Sequence, residues 1–418
     1  MAEKYNVLIL IERIYRANGG ASTSLDLAEA VNRLGHNGQL GIATGSALKL
    51  RFESRLRLIK DTGTVVPVEN IYSMPDSWPI RSSMEKNADN TSYLNPGIWK
   101  TRIVGFIENR EEAFQQVLSE ADLVIDACML PADTFSEIKK YTSAPVIYNH
   151  NGSPDAVDNY WISDYHLSEE EFSSSGKYSI FCSRYDGILF QAHDQAAECA
   201  NRGAMSAKNC FVVPPSCLER EVLAARLLDS PYDNERKALV LVGSVQHRKG
   251  QDLAIEAFKY ISDDFPALDL HIVGGGSGLE SDYGNSLKKM AAESGIRDRV
   301  FFHGHREDYL RFMAHADILI QSSRAEGVSR ILREAMLMKL PIVSFNIPGT
   351  SSTLQSGKEA LLAEPLNTKE LSEAIKRLLL NRELTLTIAE AAFQKYLLNH
   401  SQPAYASNIS SLISHLCE

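Results

Sequence analysis

The chain has 418 residues, with 43 Lys and Arg against 53 Asp and Glu and a formal net charge of -10. That length suits two or three domains, the acidic balance argues against non-specific nucleic-acid binding, and no stretch approaches the ~20 apolar residues of a membrane-spanning helix. The six cysteines, at positions 128, 182, 199, 210, 217 and 417, contain no C-x-x-C pair. Zinc and a disulfide framework are therefore disfavoured, and a reducing, cytoplasmic setting is expected.

In chain order, Tyr5 to Ile11 is an apolar run that breaks at Glu12, which reads as a first strand and not a signal peptide. The turn Asn18-Gly19-Gly20 follows. Ser22 to Leu34 then shows helical periodicity, with Leu27, Ala28, Val31 and Leu34 on one face and Gly35 as a stop. A second strand is expected from Gln39 to Thr44. Residues 46–100 are polar and rich in turn signals. Short apolar runs resume with LVIDA, APVIYNHNG, YSIFCS, YDGILFQA and NCFVVPP, and all five are read as strands. Helix-length polar segments between such runs predict a parallel α/β sheet.

A polar, turn-rich passage around DSPYDNER marks a boundary, and a second α/β series follows. ALVLVG, LDLHIVGGG, RVFFHG, ADILIQ, PIVSF and ALLA read as strands. QDLAIEAFKYI, SLKKMAAESG, LSEAIKRLLLN and ELTLTIAEAAFQKYLL read as helices. The predicted organisation is an N-terminal Rossmann-like domain over 1–222, a second over 223–402, and a tail, 403–418, that folds back as a last helix. In such architectures ligands bind beyond the carboxyl ends of the strands.

Ala325 to Pro341, AEGVSRILREAMLMKLP, carries the strongest chemical signal. Glu326 follows a strand, Ser329 stands where it can cap a helix, and Glu334 lies eight residues after Glu326 inside that helix. A helix N-terminus seats phosphate, and carboxylates accept from hydroxyls, so the stretch suits a nucleotide-sugar. Arg330 precedes Glu334 by four residues and could equally form an ordinary helical ion pair. Between a strand and a helix, Ser244 to Gly250 places Arg248 and Lys249 where cations neutralise a pyrophosphate. Gly274 to Gly278 resembles a phosphate loop without the Lys-Ser/Thr of a Walker motif. His150 ends the strand VIYNH and is a candidate donor to a phosphate or hydroxyl. His303 and His305 have no third ligand nearby to favour a metal.

Taken in order, NGGASTSLDLAEAVNRLGH, VGSVQHRKGQDLAIEAF, LHIVGGGSG, the segment from VFFHGHRED through SSRAEGVSRILREAMLMKLPIVSFNIPG, and EALLAEP resemble retaining glycosyltransferases of family 4, with the E-x7-E element at Glu326 and Glu334. The resemblance implies a GT-B fold: two Rossmann-like α/β domains facing across a cleft, the first binding an acceptor, the second a nucleoside-diphosphate sugar, and the last helix crossing back to the first. It implies that Gly19 and Gly20 lie beside the donor pyrophosphate or the acceptor, and that His150 contacts the transferred sugar. Lys249 would bind phosphate, and Glu326 would accept from a sugar hydroxyl. Val328, Ser329 and Arg330 would offer backbone N–H groups to the phosphates, and Glu334 would hold the ribose hydroxyls.

Two departures stand out. Gly243-Ser244 replaces a usual Gly-Arg, so one phosphate cation is missing and Arg248 is the candidate replacement. In PGTSST, Ser351 and Ser352 stand where many members have a Glu. The implied activity is retaining transfer of a sugar to a carbohydrate or glycolipid acceptor hydroxyl, without a metal, in polysaccharide or glycoconjugate synthesis. Peripheral contact with the inner face of a membrane is part of that expectation, and nucleic acid is not. A nucleotide-sugar epimerase, a glycosyl phosphorylase and a non-catalytic nucleotide-sugar binder are the alternatives.

Overall fold

The computed structural model describes residues 3–11, 26–28, 30–42, 71–73, 111–127, 130, 132–150, 177–217, 219–275 and 279–418. It divides into two units. One comprises Met1–Pro215 with Tyr405–Glu418, and the other Ser216–Ala404.

The first unit is built on a parallel sheet of β1 (Asn6–Ile11), β2 (Asn37–Ile42), β3 (Ile71–Ser73), β4 (Leu123–Asp126), β5 (Val146–His150), β6 (Gly187–Phe190) and β7 (Cys210–Val212). Its strand order is β3-β2-β1-β4-β5-β6-β7. Every residue of β4, β5 and β6 is buried. That follows from near-continuous apolar runs covered on both faces, the signature of a parallel sheet. Residues 26–28 and 30–33 are helical, and Leu27, Ala28 and Val31 are buried on the expected face.

One expectation for this unit is corrected. YSIFCS is no strand; it lies in the helix Lys177–Cys182. Phe181 of that helix packs edge-on to Tyr148, with ring centroids 5.0 Å apart, and also against Tyr185. A short run with four apolar residues among six fits either conformation by pattern alone, and tertiary packing of Phe181 and Cys182 decided it. The last helix, Gln402–Cys417, belongs largely to this unit. Its Tyr405, Ile409, Leu412 and Ile413 are buried in one apolar cluster with Val7, Ile9, Val31 and Leu40.

The second unit holds a six-stranded parallel sheet of β8 (Lys237–Val242), β9 (Leu268–Val273), β10 (Val300–Gly304), β11 (Ile318–Gln321), β12 (Ile342–Phe345) and β13 (Leu361–Ala363), in the order β10-β9-β8-β11-β12-β13. Helices Gln251–Ile261 and Thr368–Leu380 bury Phe258, Ile261, Leu371 and Ile375 against one face. Each such side chain contributes roughly 1.5–3 kcal/mol by leaving water. On the other side, helices Arg330–Leu337 and Arg382–Asn399 close a cluster that includes Leu319, Met336 and Tyr396. No helix among the described residues is long and apolar enough to cross a membrane.

Candidate functional site

The second sheet runs outward in both directions from β8. Chain order therefore reverses between β8 and β11, which pair directly, Ile318 beside Leu239 and Leu319 beside Val240. The loops leaving the carboxyl ends of these two strands must diverge to opposite faces, and the crevice between them is where open α/β sheets bind ligands. Arg248 and Lys249 stand on the loop after β8, and Glu326 on the loop after β11.

These loops are tied together backbone to backbone. Arg324 N donates to Arg248 O at 2.8 Å, and Ser322 Oγ donates to Gly250 O at 2.7 Å. Gly250 holds φ 66°, and a Cβ there would lie 1.9 Å from Ser322 O. Only glycine permits both that left-handed turn and that approach. The Arg324 guanidinium spans the same gap, reaching His247 O at 2.7 Å and both carboxylate oxygens of Asp252 at 2.9 and 2.6 Å.

The result is a compact charge cluster. Lys249 Nζ donates to Glu326 Oε1 at 2.5 Å, and Arg248 Nη1 lies 3.2 Å from Oε2. Arg248 also donates to Ala325 O, and Ser323 Oγ to Glu326 Oε1 at 2.7 Å. The Glu326 side chain is 7% exposed. Burial disfavours its charge, but the Lys249 ammonium and Arg248 guanidinium, with the hydrogen bonds from Lys249 and Ser323, outweigh burial. They hold the carboxyl below its ordinary value.

Beyond Gly327 the helix Arg330–Leu337 begins. Ser329 occupies its N-cap position in extended conformation, but its side chain makes no capping bond. The sequence alone suggested that cap. Arg333, almost fully buried, donates to Val328 O at 3.2 Å and shapes the entry to the helix from within. The Ser329 side chain thus takes none of the first-turn N–H groups, and a helix start of this kind can seat an anion.

Glu334 is 3% exposed. Its Oε1 accepts from Tyr309 OH at 2.7 Å and lies 3.2 Å from Arg330 Nε. Its Oε2 is buried and has no hydrogen-bond partner among the described residues. Burial pushes the carboxyl above its ordinary value, although Arg330, Tyr309 and Arg333 pull the other way. A buried acceptor without a donor costs roughly 1–3 kcal/mol, so a ligand hydroxyl at Oε2 would recover that loss.

Glycines complete this edge of the sheet. A Cβ on Gly274 would meet Gly243 O at 1.7 Å, one on Gly275 would meet His305 N at 2.4 Å, and one on Gly349 would meet Gly327 O at 2.0 Å. At these three glycines the loops after β8 and β9, β9 and β10, and β11 and β12 approach too closely for a side chain. His303 turns to its neighbour strand, where its Nε2 lies 2.9 Å from Nδ1 of His271.

His150 ends β5 in the first unit and is fully buried, its ring 5.5 Å from that of Tyr148 and 5.3 Å from that of Phe190. Gly19, Gly20 and Gly276 to Gly278 lie outside the described residues. Among the described residues no group of three or more His, Cys, Asp or Glu side chains is placed to hold a metal ion. The structure thus brings together Arg248, Lys249 and Glu326, and separately Val328 and Ser329 before the helix Arg330–Leu337 with Arg330 and Glu334 on it. It adds Ser323, Tyr309 and the Asp252–Arg324 pair, which sequence reasoning missed. None of these sits in a recognisable spacing, and Tyr309 falls in the polar run HREDYLRF.

Residues 229–395 match the family described as "Glycosyl transferases group 1". An uncharacterized glycosyltransferase of Haemophilus influenzae is 29% identical over 157 residues, covering 37% of this chain and 43% of that protein. The D-inositol 3-phosphate glycosyltransferase of Geodermatophilus obscurus is 28% identical over 211 residues, covering 48% and 46%. The matched part of the chain spans less than half the length of these relatives. Among solved structures, that of Anabaena HepE in complex with UDP and glucose covers 99% of this chain and 100% of its own, with TM-score 0.67 and 17% identity. A glycosyltransferase of Rickettsia africae covers 100% and 99%, with TM-score 0.70 and 16% identity. At these identities the likeness shows the fold, which is GT-B with two Rossmann-like α/β units.

Proposed function

We propose that this chain, of GT-B fold and related to the group 1 glycosyltransferases, transfers a sugar from a nucleoside-diphosphate sugar to an acceptor hydroxyl with retention of anomeric configuration. The observation that carries this reading is the pairing of Glu326 and Glu334 around the uncapped start of helix Arg330–Leu337. One carboxylate is held charged by two cations, and the other is buried with an open oxygen. The match to group 1 glycosyltransferases over 229–395 supports it, as does the UDP bound to the structurally similar HepE.

In this reading the diphosphate lies over the start of the helix, near the N–H groups of Val328, Ser329 and Arg330, with Lys249 and Arg248 beside it. Arg248 supplies the cation that Ser244 does not. The bond between the sugar's anomeric carbon and the phosphate oxygen breaks, and its electron pair leaves with the β-phosphate. Lys249 and the helix N–H groups stabilise that charge through preorganised donors. The acceptor hydroxyl attacks on the face the phosphate leaves, and its proton passes to the departing phosphate oxygen. Glu326 accepts from a sugar hydroxyl while fixing Lys249, and Glu334 accepts from the ribose. His150 contacts the transferred sugar, and Gly19 and Gly20 lie beside the donor pyrophosphate or the acceptor. The acceptor is a carbohydrate or glycolipid bound by the first unit, in polysaccharide or glycoconjugate synthesis, with the protein in the cytoplasm at the membrane's inner face. No metal takes part.

The test is release of nucleoside diphosphate from a panel of UDP-, ADP- and GDP-sugars, with and without candidate acceptors, and the anomeric configuration of the product. Glu326→Gln is expected to cut transfer by about 10²-fold or more while the fold persists. Turnover near that of the wild type in this variant would remove Glu326 from its assigned role.

A further inference from the structure

Glu334 has an asymmetric environment that the pairing of two glutamates does not require. Tyr309, at the start of helix Tyr309–His315, is partly buried and donates to Oε1 at 2.7 Å. Arg330 places Nε 3.2 Å from the same oxygen and donates through Nη2 to Tyr309 OH at 3.1 Å. Its guanidinium carbon stands 5.8 Å from the centre of the Tyr309 ring. The phenol and guanidinium thus support each other and converge on one carboxylate oxygen. Among the described residues nothing donates to the other, Oε2, although it is buried.

A carboxylate has two oxygens and can grip two neighbouring hydroxyls at once. Here one oxygen is already committed to protein donors with short, charge-assisted geometry, which a ligand hydroxyl would have to displace. We infer that Tyr309 and Arg330 are positioning residues that reserve Oε2 of Glu334 as a single open acceptor, so that the site reads one hydroxyl of the donor's ribose and not the pair. This inference rests on the nucleotide-sugar reading above and narrows it. Burial prevails at Glu334 and keeps its carboxyl above the ordinary value, while Arg330 and Tyr309 pull the other way by favouring the anion. The charged and titratable groups facing it are Arg330 and Arg333 from its own helix, Tyr309, Glu221 of helix Glu219–Ala224, and Cys217 just before that helix.

The experiment is calorimetric binding of UDP, ADP and GDP to the full chain. For a nucleotide that binds, its 2′-deoxy and 3′-deoxy forms are then compared, in the wild type and in Tyr309→Phe, Arg330→Leu, Arg330→Lys and Glu334→Gln, between pH 5 and pH 9. The wild type is expected to lose about tenfold in affinity for one deoxy form and little for the other, the worth of one hydrogen bond. Tyr309→Phe removes a donor to the anion, so the pH at which binding is half lost should move upward. Arg330→Leu should do the same, with Arg330→Lys partly restoring the wild-type profile. A merely structural role for these side chains would lower affinity at every pH without moving the midpoint.

Glu334→Gln places an amide where the open acceptor was and should abolish the discrimination between deoxy forms. Equal losses for both deoxy forms in the wild type overturn the inference. So does an unmoved midpoint in Tyr309→Phe and Arg330→Leu when Glu334→Gln still weakens binding, and in that case the nucleotide-sugar reading stands. No binding of any of the three nucleotides by the wild type, or unchanged binding in Glu334→Gln, overturns both.

Discussion

Arg324 and Asp252, separated by 72 positions in sequence, meet through two parallel hydrogen bonds of 2.9 and 2.6 Å. Tyr283 OH adds a third bond to the same Asp252 carboxylate oxygen at 2.7 Å. These contacts draw the Asp252 carboxyl below its ordinary value even though burial opposes them. The pair fastens the loop carrying Lys249 to the loop carrying Glu326. Asp252→Asn keeps the shape but weakens the fork. In the proposed reaction a displacement of order 1 Å between a catalytic cation and its phosphate costs about 10²-fold, so turnover in Asp252→Asn should fall by about 10- to 100-fold. Steady-state kinetics with the preferred donor checks this, with circular dichroism verifying that the fold persists.

Glu334 sets function against stability. Its carboxyl is raised above the ordinary value of 4.5 by burial. A group whose folded value is raised contributes stability that is present below the unfolded value and lost as pH rises through the folded one. Replacing it with Gln removes that loss. Glu334→Gln should therefore melt at or above the wild-type temperature at pH 8, with the advantage shrinking as pH falls toward 4.5, while nucleotide affinity drops. Melting curves across that range, read beside binding at pH 8, give both halves of the trade.

Gly250 is fixed by geometry on two counts, its φ of 66° and the 1.9 Å approach a Cβ would make to Ser322 O. The backbone strain alone costs a non-glycine residue about 1–3 kcal/mol. Gly250→Ala should also push the Ser322 loop outward and separate Lys249 from Glu326. Both a lower urea midpoint and weaker nucleoside diphosphate binding are expected, and a variant with unchanged binding would place Lys249 outside the phosphate site.

Ile409, in the last helix, is fully buried with Ile9, Val31 and Leu40. Ile409→Ala opens a cavity and should destabilise the first unit by about 2–5 kcal/mol. Because the Arg248–Lys249–Glu326 cluster stands on the second sheet, the proposed nucleoside diphosphate affinity should be retained at temperatures where the protein stays folded. Chemical denaturation followed alongside binding separates these effects.

The apolar runs of this sequence determined both sheets apart from β3, whose Ile71–Ser73 lies in the polar, turn-rich stretch 46–100. Val146 to His150 and Ile318 to Gln321 are buried strands because the alternating polar face of a half-exposed strand is missing. The eight-residue spacing of Glu326 and Glu334 around Ser329 was visible for the same reason, since strand, loop and helix start are local properties. YSIFCS shows where local pattern fails, because so short a run suits a strand or a helix equally and only the packing of Phe181 on Tyr148 and Tyr185 chose the helix. What the tertiary structure alone decided is who meets whom. Lys249 meets Glu326 across 77 positions because chain order reverses between β8 and β11. Tyr309 reaches Glu334 across 25 because the loop after β10 returns over the start of helix Arg330–Leu337. No periodicity encodes such pairs. They arise from the order in which strands stack, and at Glu334 that order decides which oxygen is taken and which is left open.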